Sequence, residues 1–255
     1  MMTDADGHAN RWTPTLGPDF KGVPFDTSTN GARISLLTDD ERRELAQIAS
    51  VVYVKPGSPL YTEGAPIEAA YNIISGVVKT SRKLPGGKRI VTGFMFPSDL
   101  IANSSEGHYV DTAVAVNAVS AYRMEKAPLL SLVLRNPALQ FRFMHYVGFR
   151  VREAEQHSIV LSRTKTATAK LASFLDMIRQ RQANDGQGDE IHLAMRRNEI
   201  ASYLALSVES ISRAFRVLET QGVIAIRDQR YVRICDQSRF DRLLPIGRPA
   251  AVAHE

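Results

Sequence analysis

The 255-residue sequence predicts an α+β fold: an N-terminal antiparallel β-roll, one long dimerisation helix and a C-terminal winged helix-turn-helix. Three observations carry that expectation. Between Val51 and Arg123, short β-rich runs alternate with turn signals at roughly 8–12-residue intervals, the grammar of an antiparallel barrel or sandwich. After Pro137 the turn signals stop, and apolar residues recur with helical spacing to about Ser162. From Ile191 to Cys235 a compact unit holds seven arginines (Arg196, Arg197, Arg213, Arg216, Arg227, Arg230 and Arg233) against four acids (Glu199, Glu209, Glu219 and Asp228).

Residues 1–33 are rich in Gly, Pro, Thr, Asp and Asn without a period and read as a mobile arm. Thr38 is placed to cap a short helix, with Glu41 completing a capping box and the helix running to about Ala49. The β-roll unit, 34–136, then contains VVYV, YNIIS, VVKTSRK, RIVTGFMF, DTAVAVNAV and SAYRM, punctuated by KPG, PGG and FPSD. In the long helix, 137–163, Met144, Val147, Val151, Ala154, Ser158 and Leu161 follow at 3-4-3-4-3 spacing, the seam of a coiled coil. A helix that only packs on its own barrel is the competing reading, but the narrow seam favours a homodimer.

The remaining unit, 164–240, opens with a helix over about 165–182 that sets Leu171, Phe174, Leu175 and Ile178 on one face. ANDGQGDE makes a polar loop. Asn198–Leu204 reads as a short helix, Ala205–Ser207 as a tight turn, and Val208–Gln221 as a second helix capped by Ser207 and ended at Gly222. On that second helix Val208, Ile211, Phe215 and Leu218 form the expected buried face, and Glu209, Ser212, Arg213 and Arg216 the opposite one. Residues 241–255 are a tail.

Composition narrows the function. At 44% hydrophobic and 23% charged, the chain is an ordinary globular sequence with room for one or two domains. A single cysteine excludes a disulfide framework and a Cys-rich metal or iron–sulfur site within one chain. No apolar run approaches the ~18 residues of a membrane span, and the polar start MMTDADGHAN is no signal peptide, so the expectation is a soluble cytoplasmic protein. The net charge of +5 points mildly to a polyanionic partner. No nucleophile–base constellation, metal motif or phosphate loop speaks for an enzyme. A ligand-binding barrel with an incidentally basic C-terminus is the remaining alternative.

The residue types on the second helix suit double-stranded DNA. Arginine bridges guanine O6 and N7, glutamate accepts from cytosine N4–H, and serine is a small adaptable donor that lets the helix approach the base edges. A carboxylate weakens attraction to phosphate, so Glu209 beside Arg213 suits a base reader better than a purely electrostatic binder. An i, i+4 Glu–Arg pair on a solvated helix is the bland alternative. The stretch GVIAIRDQRYVRI argues against it. Two β-runs flank Asp228–Gln229 and form a wing whose Arg227, Arg230 and Arg233 suit the phosphate backbone. Arg197, Ser207, Ser210 and Arg216 are further candidates for backbone contact.

The stretch EIASYLALSVESISRAFRVLETQGVI, with the barrel and long helix before it, resembles the CRP/FNR family of transcription regulators over roughly residues 35–235. It is most similar to the FNR and FixK branch, whose recognition helix carries E-x-x-S-R, met here by Glu209, Ser212 and Arg213. The resemblance implies a cyclic-nucleotide-binding-like β-roll and a homodimer reading a TTGAT, four-base spacer, ATCAA palindrome. It also implies contact with RNA polymerase, in most cases to activate transcription.

Departures from the family pattern bear on the signal. Members that bind cyclic AMP hold its phosphate with a Gly-Glu pair and an Arg-Ser/Thr-Ala stretch. Here Ile101-Ala102-Asn103 replaces the first, and Val110-Asp111-Thr112-Ala113 sets an acid where the arginine belongs. Such an acid repels a phosphate. Oxygen-sensing members hold an iron–sulfur cluster with several cysteines, whereas Cys235 is the only one in this chain. His108, His145 and His157 are the candidate ligands for a haem, and Cys235 is a candidate redox switch, although a lone buried cysteine is usually inert. The favoured expectation is FixK-like: no cofactor, and activity set by abundance.

Overall fold

The computed structural model describes residues 26–29, 32–35, 38–102, 104–182 and 190–245. Most of the expected arm, Asn103, most of the ANDGQGDE loop and most of the C-terminal tail lie outside the described residues. Within the stretch expected to be aperiodic, strands β1 (Asp26–Thr29) and β2 (Ala32–Ser35) pair as an antiparallel hairpin. Helix α1 (Asp39–Ile48) begins as its sequence predicts. The Thr38 hydroxyl accepts from the Glu41 N–H, and the Glu41 carboxylate accepts from the Thr38 N–H at 2.7 Å.

Ten strands follow: β3 (Ala49–Val54), β4 (Pro59–Tyr61), β5 (Ala69–Ser75), β6 (Val78–Lys83), β7 (Arg89–Met95), β8 (Leu100–Ile101), β9 (Ser104–Ser105), β10 (His108–Tyr109), β11 (Thr112–Ala115) and β12 (Val119–Glu125). Two four-stranded antiparallel sheets, ordered β4-β11-β6-β7 and β3-β12-β5-β8, face each other. Between them are packed Tyr61, Ile73, Val78, Met95, Ile101, Ala113 and Ala121. The β5–β6 turn requires glycine: Gly76 has φ +86°, and a Cβ there would sit 2.3 Å from the Ala118 carbonyl.

The strands end at Glu125, close to the expected Arg123, and the rest of the 34–136 unit forms helix α2 (Lys126–Arg135), which the sequence reading does not contain. Helix α3 spans Pro137–Arg163, the predicted limits, with Asn136 as N-cap and proline in the first turn. Helix α4 (Ala167–Gln182) buries Leu171, Phe174, Leu175 and Ile178, the predicted face. It leads to β13 (Glu190–His192), α5 (Arg197–Tyr203), α6 (Val208–Thr220), β14 (Ile224–Arg227), β15 (Tyr231–Ile234) and α7 (Gln237–Asp241). The last sheet is ordered β13-β15-β14.

The C-terminal unit is docked on the roll rather than standing apart. Phe94 and Phe96 belong to the same buried cluster as Leu175, Ile200, Ile211 and Phe215, and Phe94 packs edge-on against Phe174 and Tyr203. Strand β7 is a sheet edge, and its Val91 N–H is satisfied by the Ser202 hydroxyl of α5 at 2.9 Å. Lys79 on β6 reaches Glu199 on α5 at 2.5 Å.

Candidate nucleic-acid interface

Helices α5 and α6 are joined by a tight turn in which Ala205 adopts φ +52°. Each helix start is fixed by its own sequence. The Glu199 carboxylate accepts from the Arg196 N–H at 2.7 Å, and the Ser207 hydroxyl caps α6 by accepting from the Ser210 N–H at 3.1 Å. Gly222, at φ +69°, ends α6 after its C-cap. Ile211, Ala214, Phe215 and Leu218 are buried, while Glu209, Ser212, Arg213 and Arg216 are exposed together.

Val208 departs from the expected pattern. Its spacing predicts a buried position, yet it is 41% exposed, because the first turn of α6 projects beyond the core that its later turns cover. It lies next to Glu209 and one turn before Ser212, so the exposed end of α6 offers an aliphatic surface beside its polar groups. The Glu209 carboxylate is held below the ordinary range by its own backbone N–H, the Ser207 hydroxyl and the Arg213 charge. It remains an ionised acceptor, the form that can receive a cytosine amino proton.

Strands β14 and β15 form the wing. Asp228 and Gln229 at its tip have φ +51° and +60°, the positive central pair of a type I′ turn, which the Arg230 N–H closes on the Arg227 carbonyl at 3.2 Å. Arg230 and Arg233 are exposed. Arg227 is also exposed, but its guanidinium lies over the Tyr231 ring and pairs with Glu190 at 2.6 Å and Asp228 at 3.3 Å.

Arg197 is placed otherwise than expected. Rather than pointing outward from the start of α5, its guanidinium lies 3.3 Å from the centre of the Phe215 ring and donates to the Gln229 carbonyl at 3.2 Å. Burial pushes its pKa down to about 10, and Nη1 is buried without a hydrogen-bond partner. A phosphate beside the tip of the wing is the kind of acceptor that nitrogen lacks. Ser207 and Ser210, also expected at the backbone, share a hydroxyl–hydroxyl bond of 3.0 Å.

In the β-roll, Asp111 is buried and accepts from the Tyr61 hydroxyl at 2.9 Å, while the Tyr61 ring stacks on Tyr109 with centroids 3.9 Å apart. Burial and the nearby Asp111 charge hold the Tyr61 phenol well above its ordinary pKa, so it stays a donor. Thr112 accepts from Arg89 at 3.0 Å and from the Glu63 N–H at 3.0 Å. Asp111 is thus engaged within the roll by a phenol that is itself stacked on a second aromatic ring.

The candidate haem histidines are scattered. His108 is exposed on β10, with Nδ1 at 3.1 Å from the Glu106 carbonyl. His145 and His157 lie twelve positions apart on α3, about 18 Å along the axis. His157 is stacked on Tyr203 at 4.0 Å. Among the described residues no three His, Cys, Asp or Glu side chains gather where a metal ion would bind. Cys235, a candidate redox switch in the sequence, is exposed rather than buried, because the chain leaves the wing sheet at Ile234.

The exposed stripe of α3 contains Met144, Val147, Val151, Ala154 and Ser158, with Leu161 half-buried at its end. Phe141 extends it by one step, and Leu130 and Leu134 of α2 are also exposed. Phe141 lies three residues before Met144 where the 3-4 alternation calls for four, so it flanks the seam, and the spacing alone does not mark it. Among the described residues no helix is long and apolar enough to cross a membrane.

Comparison with known proteins agrees with this geometry. Residues 169–243 match the Crp-like helix-turn-helix domain, and residues 51–136 match the cyclic nucleotide-binding domain. The nitrogen fixation regulation protein FixK of Bradyrhizobium diazoefficiens is 33% identical over 193 residues, covering 75% of this chain and 81% of that protein. The transcriptional activator protein Anr of Pseudomonas protegens is 32% identical over 176 residues, 68% of this chain and 71% of its own. The solved structure of FixK2 from Bradyrhizobium japonicum superimposes with a TM-score of 0.73 at 25% identity, covering 78% of this chain and 99% of that one. A reading helix with its wing, carried on a β-roll and a long helix and matched over most of these relatives' length, makes this chain a member of the CRP/FNR family of DNA-binding transcription regulators, in its FixK-like branch.

Proposed function

We propose that two copies pair along α3 and set their α6 helices into successive major grooves of a TTGAT, four-base spacer, ATCAA palindrome. The bound dimer then activates transcription by contacting RNA polymerase. The observation that carries this reading is the exposed end of α6, where Glu209, Ser212 and Arg213 stand together beyond a fully packed core. Arg213 would take guanine O6 and N7, Glu209 a cytosine amino group, and Val208 the methyl group of a thymine. Arg216, Arg230 and the cap of α6 would hold phosphate, and Arg197 would join them by turning its unsatisfied nitrogen outward. Relatives named as a transcriptional activator and as a nitrogen fixation regulator support the regulatory part of the reading.

The β-roll, in this reading, binds no cyclic nucleotide, haem or iron–sulfur cluster. A phosphate at Asp111 would meet a buried carboxylate already engaged by Tyr61. The test has three arms. Purified protein should retard a duplex carrying the palindrome and leave a scrambled duplex free at the same concentration. Millimolar cyclic AMP should change neither that affinity nor the melting temperature. Transcription by purified RNA polymerase from a promoter bearing the palindrome should rise when the protein is added. Equal retardation of both duplexes would overturn the sequence-reading assignment, and a thermal shift with cyclic AMP would overturn the assignment for the roll.

A further inference from the structure

The wing carries an acid that DNA binding, as read above, does not use. In the register of the last sheet, Glu190 on β13 is opposite Arg233 on β15, which is opposite Ala225 on β14; Tyr231 is opposite Arg227. Strand alternation therefore sets Glu190, Ala225, Arg227, Tyr231 and Arg233 on one face, while Ile191 and Val232 turn into the core. Across that outer face, Glu190 Oε2 accepts from Arg227 Nη2 at 2.6 Å and Oε1 from Nε at 3.4 Å. The Tyr231 ring supports the guanidinium at 4.3 Å, and Asp228 adds a second carboxylate at 3.3 Å.

That geometry has a direct consequence for DNA binding. The Nε–Nη2 edge that Glu190 occupies is one of the two edges with which an arginine grips a phosphate through two parallel hydrogen bonds, and Asp228 holds Nη1 of the other. The guanidinium cannot present an edge to carboxylate and phosphate at once. We propose that Glu190 competes with the DNA backbone for Arg227, holding down the wing's attraction for DNA of any sequence. This rests on the reading that the wing lies against phosphate. The pair is exposed, so water and salt weaken it, and a phosphate can displace the carboxylate at a cost rather than be shut out. Glu190 acts through Arg227 and touches no base, so its removal should strengthen binding to the palindrome and to random DNA by the same factor.

The experiment uses the full chain as wild type, Glu190→Gln, Arg227→Ala and the double variant. Each is titrated by fluorescence anisotropy against the palindrome and a scrambled duplex at about 50 and about 200 mM salt. Glu190→Gln should tighten binding to both duplexes equally and steepen the log–log salt slope by about 0.9, one additional phosphate contact. The gain should therefore shrink about 3.5-fold between the two salt concentrations. Arg227→Ala should abolish the gain in the double variant, and Asp241→Asn, which makes the same charge change outside the wing, should not reproduce it. Unchanged or weaker binding by Glu190→Gln, or a gain that survives Arg227→Ala, overturns the proposal. If the wild type prefers the palindrome while Glu190→Gln behaves identically, this inference alone fails. A wild type that binds neither duplex overturns both it and the DNA reading.

Discussion

Arg181 on α4 meets Asp99 of the β-roll at 2.8 Å, with both side chains largely buried where the roll, the long helix and the DNA-binding unit converge. The second arm of the same guanidinium bonds Glu153 of α3, which also takes Arg150 at 2.6 Å. Phe96 and Phe149 each pack 5.8 Å from the Arg181 guanidinium. Asp99 is further held by the Phe96 N–H at 2.9 Å. Burial alone would lower the Arg181 pKa; the Asp99 and Glu153 carboxylates outweigh it and raise the value, so the side chain stays charged. One residue thus ties α4, and through it α6, to the other two units.

Removing one member of such a cluster strands the opposite charges in a poorly solvated site. Arg181→Ala should therefore lower stability by about 3–5 kcal/mol, measured by urea denaturation of the full chain. A loss below about 1 kcal/mol would place the pair among solvated surface bridges.

Arg213 and Arg230 should separate base reading from phosphate binding. Arg213 stands on the exposed face of α6 and Arg230 on the wing. Arg213→Ala should cost about 1–3 kcal/mol on the palindrome and little on random DNA. Arg230→Ala should weaken both alike and reduce the salt slope by about one. Equal losses on both duplexes for Arg213→Ala would remove it from the base-reading set.

The parts legible in the sequence were those with a local signature. The Thr38–Glu41 capping box, the Pro137 start of α3 and the Ser207 cap of α6 each lie within a few residues of what they fix. Helix α2 was missed because KAPLLSLVLR is apolar nearly throughout and has no clear period of either kind. Val208 follows the core spacing of α6, and only the shape of the surrounding domain leaves it uncovered. Lys79–Glu199 joins residues 120 positions apart, and Glu190 meets Arg227 across a three-stranded sheet. Neither contact leaves a pattern in its own segment. The inward turn of Arg197 depends on Phe215, which spacing assigned only to the core.

His157 should make stability fall in mildly acidic solution. Its ring stacks on Tyr203 at 4.0 Å and 11°. Burial, aided by the charge of Lys170 against a hydrogen bond at Tyr203, lowers its pKa below the ordinary 6.5. The fold therefore holds the neutral ring, and the unfolded chain takes up the proton first. Stability should be full above about pH 7 and decline as pH falls through 6.5, until the native ring also protonates. His192, lowered by burial and Arg230, contributes in the same window. The lowered carboxylates of Glu41, Glu190 and Glu209 come into play only as pH approaches 4.5, so the decline that begins near 6.5 belongs to the histidines. Urea midpoints measured across this range should show a shallower decline for His157→Gln. An unchanged slope would mean the stacked ring titrates normally.

The long helix should pair with its twin without any added effector. In the single chain Met144, Val147 and Val151 are 68%, 57% and 62% exposed, and Phe141 continues the stripe at 60%. A soluble protein seldom leaves such a row of large apolar side chains in water unless another surface covers it. None of the six seam positions carries a charge, so no like-charge repulsion must be relieved before two copies meet. Ala154 and Gly148 are small enough for the helices to approach closely, and the space around the Gly148 Cα is open. Each apolar residue buried in the seam would contribute on the order of 1.5–3 kcal/mol. The sum must exceed the entropy lost on association, and a seam of this length has the residues to do so. Ser158 weakens it slightly, and its hydroxyl can bond back to the helix. Sedimentation at micromolar concentration should give a dimer for the wild type and a monomer for Val151→Glu, which sets an acid against its twin in the middle of the seam. The variant should also lose most of its affinity for the palindrome, because each half-site would then be bound alone. A monomeric wild type, or a Val151→Glu protein that stays dimeric and keeps its operator affinity, would mean that the two copies meet through another surface.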